Sequence, residues 1–384
     1  MKRMILWPGA VMRRAARANA DWIAAQRERG TVQRAISPLL ASLALALVTA
    51  TPQPAFACAT CGCSLSTDAA MGYSDVAGWR ATFEFDFINQ DQLRSGTSSI
   101  SNAQVAAIND AGGSQEVEKQ TINRYFTAGL SYRPNGDWNF NLLVPYIDRS
   151  HSTWGDSTNP LTPDKVSGAS VDSLGDMRFI TSYQGLLPTH NLGFQLGVVV
   201  PTGDYGGPNA AGTGTVGRNP VAFNSGPNSR NPSPGNLLDT SLQAGAGATD
   251  LIVGAYYYQA VSQNFDAFVN GQFQAALWHK LDQPGEDYRP GNLATVSFGL
   301  RYEENPDIVP ELQFNITNKR TDQGVLADTI STGGTVVYLS PGLSASVTPS
   351  MQVFAFVQLP LYSRLTGIQL FPHWTASVGA SYAF

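Results

Sequence analysis

Cys58, Cys61 and Cys63 stand in the pattern C-x-x-C-x-C, and they are the only cysteines of the chain. Thiolates this close suit soft metals such as Cu(I) or Zn(II), as a trigonal site or, with a fourth ligand, a tetrahedral one. In an oxidising compartment the same trio forms a disulfide instead. One bridge leaves one thiol over, for redox exchange or for a bridge to a partner. Haem attachment needs His after the second cysteine, and Gly62 stands there. Lipidation of Cys58 is the remaining use, with the bulky Phe56 two residues earlier arguing against it. Metal, disulfide or redox chemistry all stay open at this point.

Other chemistry is sparse. The histidines are His151, His190, His279 and His373, placed in a loop, at a short turn, near a strand end and at the start of the last strand. No Ser/His/acid constellation is legible among them, so the chain is not read as an enzyme. Asp-rich loop tips lack EF-hand spacing. A net charge of -5 without a basic block excludes nucleic acid as a partner.

The remaining polar residues fall into a period of two. Trp79, Ala81, Phe83, Phe85 and Phe87 alternate with Arg80, Thr82, Glu84 and Asp86. Trp138, Phe140, Leu142, Val144 and Tyr146 alternate with Asn139 and Asn141, and Leu192 to Val200 with Gly193, Gln195 and Gly197. On a strand, alternate side chains take opposite faces, so each segment has a greasy face and a polar one. If the greasy faces meet lipid, the other face lines a lumen. The candidates are Arg80, Glu84, Asp86, Arg124, Asn139, Asn141, Asp176, Arg178, Gln195, Asp266, Asn270, Gln272, Arg301, Glu311, Gln313 and Lys319. Both signs occur, so such charges either pair across strands and seal the tube or form a polar conduction path.

Three features favour a membrane barrel over a soluble sandwich. Charged residues are only 14%, against about 25% in an average soluble protein. The alternating segments are long enough to span, which takes about nine to eleven residues. Connections alternate between long and tight, the odd-numbered ones long up to and including the last, as expected of long outer loops and short periplasmic turns. The pattern predicts an all-β, closed antiparallel up-and-down transmembrane β-barrel of about twelve strands, with both termini periplasmic. The barrel occupies 79–384, with long loops at 93–121, 149–174 and 204–249. The segment SNAQVAAINDAGG in the first loop reads as a short helix, and the longest loop either folds inward or stays outside. Residues 1–57 read as a signal peptide with a long basic region, an apolar run LLASLALALV and an Ala55-Phe56-Ala57 cut. Residues 58–78 then form a cysteine-containing periplasmic segment or plug.

Several patches resemble a known family: SLGDMRF (173–179), GVVVPTGDYG (197–206), LLDTSLQAGAGATDLIVGAYY (237–257), LSPGLSA (339–345), LPLY (359–362) and the final GASYAF. In order and spacing they are similar to the phenol-degradation meta-pathway family of outer-membrane channels. CATCGCSL and FINQDQLRSGT are less typical and mark a subgroup with an N-terminal C-x-x-C-x-C segment. The resemblance implies a Gram-negative outer-membrane barrel, porin-like, that moves small, often hydrophobic or aromatic, solutes. It supplies no catalytic residues. The last strand, with Trp374, Tyr382 and terminal Phe384, resembles the signal read by the barrel assembly machinery. Lipid and lipopolysaccharide are the other implied partners. The competing reading is a copper- or redox-linked envelope protein, anchored by the barrel and acting through the cysteines.

Overall fold

The computed structural model describes residues 77–229 and 237–384. Long alternating segments become strands: β1 (Gly78–Gly96), β3 (Glu118–Arg133), β4 (Trp138–Thr153), β6 (Met177–Tyr183), β7 (Leu192–Val200), β10 (Ala248–Ala260), β11 (Phe265–His279), β12 (Leu293–Tyr302), β13 (Ile308–Lys319), β14 (Gly334–Thr348) and β15 (Met351–Ala383). Shorter pieces decorate the long-loop end: β2 (Ser98–Ile100), β5 (Ser167–Leu174), β8 (Tyr205–Pro208), β9 (Thr215–Arg218) and one helix, α1 (Asn102–Asp110).

The strands pair antiparallel in the order β15-β14-β13-β12-β11-β10-β7-β6-β4-β3-β1, and β15 pairs with β1 to close the circuit. β5 continues the β6 wall upward along the far half of β4. β15 supplies two walls: Met351–Leu365 runs against β14, and the stretch from Ile368 runs back against β1. The reversal lies at Thr366–Gly367, where Gly367 has φ +54°. The last connection, expected to be a long loop, is thus a tight turn between two extended arms. Counted this way the barrel has about twelve walls, all antiparallel. Among the described residues no helix is long and apolar enough to cross a membrane.

Closure pairs the β1–β15 seam as far as Phe384. Trp79 N–H donates to the Phe384 carbonyl at 3.2 Å, and Phe384 N–H donates to the Trp79 carbonyl at 3.0 Å. In hydrocarbon an unpaired backbone group has no water to turn to, so the seam must be paired to its end. Trp374, Tyr382 and Phe384 all lie on the exposed outer side of this seam.

Register decides faces, because directly paired residues point the same way. Trp79 to Phe87 on β1 share the outer face with Tyr132, Leu130, Ala128 and Phe126 on β3. Aromatics meet across strands there, Trp79 with Tyr132 at 4.5 Å and Trp138 with Tyr183 at 4.7 Å between ring centres. Above this band the outer face turns polar. Arg124 pairs with Phe87 and with Asp148, so it sits outside, 3.4 Å from the Asp148 carboxylate. That corrects its expected lumen position: its inward neighbours are Asn123 and Tyr125. The expected alternation placed β3 one residue out of phase at this point.

The first long loop folds as its sequence suggests. Ser101 caps α1 and exchanges side-chain and backbone hydrogen bonds with Gln104. Val105 and Ala106 are buried against Leu93, Val117 and Leu370.

Candidate solute path

The inner face carries most of the predicted polar residues. Arg80, Glu84 and Asp86 project inward from β1, Asn139 and Asn141 from β4, and Arg178 from β6. Gln195 (β7), Asp266, Asn270 and Gln272 (β11), Arg301 (β12), and Glu311, Gln313 and Lys319 (β13) follow in register. Several meet. Gln272 donates to Gln195 at 2.8 Å. Arg301 lies 2.9 Å from Glu303 and 3.8 Å from Glu311, while Gln313 donates to Glu311. Lys319 pairs with Asp322 at 2.9 Å, and Asp86 accepts from Ser377. Asp176 serves the backbone instead: it accepts from Gly203 N–H at 2.9 Å and Ala246 N–H at 2.8 Å.

The interior also holds aromatics that the polar pattern did not announce. Tyr256, Phe268, Phe354 and Phe356 are buried on the inner face. They lie over glycines of neighbouring strands. A Cβ at Gly193 would sit 2.1 Å from the Tyr256 ring, and one at Gly342 would sit 2.0 Å from the Phe356 ring. Abundant glycine is thus room for inward rings. Tyr256 Oη also donates to Gln184 at 2.7 Å.

The 238–244 part of the longest loop packs inward. Leu238, Leu242 and Ala244 pack on Ile147, Ala169 and Val171 of the inner wall. Arg149, buried on β4, holds this segment. Its guanidinium donates to the carbonyls of Leu242 and Gln243, to Asn123 Oδ1 at 2.5 Å and to Tyr125 Oη at 2.8 Å. Asn123 in turn donates to Gln90 at 3.2 Å, and Gln90 to the Leu370 carbonyl at 3.3 Å. A buried polar chain therefore runs from β15 through β1, β3 and β4 to the loop. Gln243 completes the anchor, donating to the carbonyls of Leu238 and Val221 and accepting from Val221 N–H.

Sequence reasoning missed Gln90, Asn123, Arg149 and Gln243. The signal existed for Arg149 and His151: they stay in phase with Asn139 and Asn141, and β4 runs on to Thr153. His151, expected in a loop, lies on this strand, with Nδ1 2.8 Å from Thr121 Oγ1 and Nε2 3.9 Å from Glu116.

Beneath the long loops a cavity of about 220 Å³ opens between the start of β3, the 239–242 turn, the 328–332 segment and the returning arm of β15. Glu116, Glu118, Asp239 and Asp328 line it.

The expected metal chemistry is corrected. Among the described residues, no group of three or more His, Cys, Asp or Glu side chains is placed to hold a metal ion, so copper and zinc are dropped. Cys58, Cys61 and Cys63 lie outside the described residues, as does the segment 1–57 that reads as a signal peptide.

The fold is that of outer-membrane β-barrels. It resembles an outer membrane channel from Pseudomonas putida F1, with TM-score 0.56 and 10% identity, covering 84% of this chain and 100% of that one. Weaker likenesses include the CymD monoaromatic hydrocarbon channel, with TM-score 0.40 and 11% identity over 80% of this chain and 89% of that chain. The toluene transporter TodX of P. putida gives TM-score 0.37 and 11% identity over 83% of this chain and 94% of that chain. No protein-family model matches the chain, and no curated protein matches it.

Proposed function

We propose that this chain is an outer-membrane channel for small solutes, its path narrowed by the inward-packed segment 238–244 of its longest loop. The observation that carries the reading is the segment Leu238–Ala244, packed against the inner wall and held there by Arg149. A barrel that served only as an anchor has no need of a polar interior with a pinned loop inside it. The likeness to a solved channel supports the barrel fold. Hydrophobic or aromatic solutes are the finer reading. The inward rings of Tyr256, Phe268, Phe354 and Phe356 support it, as does the resemblance of the sequence patches to the phenol-degradation meta-pathway channels. On this reading transport, not catalysis, is the activity. Lipid and lipopolysaccharide surround the apolar band, and the assembly machinery reads the strand ending in Trp374, Tyr382 and Phe384.

The test is swelling of liposomes that carry the full chain, with neutral solutes of graded size. Uptake that falls off steeply with solute size is expected. Uptake no faster than protein-free liposomes, from protein shown to be folded, overturns the reading.

A further inference from the structure

The mouth cavity combines features that the path as a whole does not need. Four carboxylate residues line it, and no arginine or lysine is among the described residues that do. Leu242, Ile330, Ile368 and Leu370 supply apolar wall between the acids. Two of the acids are tied into the structure. Glu118 accepts from Leu370 N–H at 3.2 Å, and Asp328 accepts from the Ile330 and Ser331 amides at 2.9 and 2.7 Å. Asp239 is different: it stands at the start of the Thr240–Leu242 turn, and its side chain caps no backbone N–H. In the same wall Gln369 is only 4% exposed. Its amide nitrogen donates to the carbonyls of Gly333 and Thr366, while its carbonyl Oε1 has no hydrogen-bond partner. The wall therefore carries four carboxylates and an unpartnered carbonyl, and its donors are only neutral ones, the hydroxyls of Ser114, Ser241, Ser331 and Thr332 and the Gln115 amide, with no cation to balance the acids.

The cavity's size and the acids' spacing narrow the ligand. About 220 Å³ lies below the roughly 300–1,000 Å³ that drug-sized ligands occupy. The described acids do not converge as metal ligands. An organic cation with a short apolar body satisfies both conditions, since its ammonium supplies three donors and its carbon skeleton meets the leucines and isoleucines.

We infer that the mouth cavity binds a small organic ammonium ion, its charge set against Asp239 and Glu118 and its apolar part against Leu242 and Ile368. This rests on the channel reading in that it names a class of solute received at the mouth. Crowding supports it: loss of water, and then repulsion from Glu116, Asp328 and Asp322, push the Asp239 carboxyl up to about 7. A bound cation relieves that repulsion.

The test is titration calorimetry of the full chain in detergent with phenylethylammonium, using 2-phenylethanol as the neutral isostere of the same shape. The ammonium is expected to bind at least tenfold more tightly than the alcohol. Asp239→Asn is expected to weaken it at least fivefold, with Glu118→Gln as a second variant and a heat-modifiable gel shift to show that each is folded. Equal binding of the alcohol, unchanged binding in both folded variants, or no binding to the wild type overturns the inference. Neutral-solute swelling without ammonium binding sinks this site alone. Ammonium binding without any swelling sinks the channel reading and leaves the site.

Discussion

Asp239 sits where a negative charge is costly, among three other acids at the barrel mouth and without a backbone donor. Its folded pKa of about 7 lies above the ordinary carboxylate value, so the folded state holds this proton more tightly than the unfolded chain does. The stability it contributes is therefore fully present below about pH 4 and is lost as pH rises through about 7. Chemical unfolding of the reconstituted barrel from pH 4 to 8 should show wild type losing more stability over that range than Asp239→Asn. Parallel profiles for the two proteins would contradict it. Glu116, Asp328 and Asp322 face the same carboxyl, so Asp328→Asn should move the wild-type fall to lower pH. At this scale the sequence said little. The acids come from segments about 90 to 210 residues apart, and only the closed circuit brings them together.

Strands were the legible part. Period-two alternation located every wall, since one greasy face against lipid forces that pattern. It misjudged two places for physical reasons. The alternation about Arg124 was read one residue out of phase, and a single-residue slip exchanges inside for outside. The last connection was read as a long loop, yet the strands on either side run on until only Thr366 and Gly367 are left to make the turn. The inner rings were hidden too: Tyr256, Phe354 and Phe356 are apolar-looking residues on the inward face, and only their glycine partners explain them. Gly342→Val should therefore cost about 1–3 kcal/mol by overpacking against Phe356. Urea unfolding would measure it, and Phe356→Ala in the same chain should recover part of the loss. A neutral Gly342→Val would contradict the packing. At the seam, removal of Phe384 deletes both hydrogen bonds to Trp79. The yield of heat-modifiable folded barrel should fall severalfold, and an unchanged yield would show that the seam does not depend on its last pair.

At the largest scale, the described residues form a closed wall with part of the longest loop lodged inside. The sequence left open whether that loop folds inward, because its Gly, Asn and Pro content fits either course. Arg149 decides it, through a buried chain of side chains that crosses four strands to Leu242 and Gln243. Removing the guanidinium leaves two loop carbonyls without their donor, at about 1–3 kcal/mol for each buried group. Lysine keeps the charge but not the fork, so Arg149→Lys should lie between wild type and alanine. The most direct measurement is single-channel conductance in a planar bilayer, for wild type and Arg149→Ala side by side. A small, steady wild-type conductance that rises severalfold in Arg149→Ala, with added flicker, is the predicted result. Equal conductance in the two folded proteins, or none in either, would contradict a path through the barrel narrowed by its own loop.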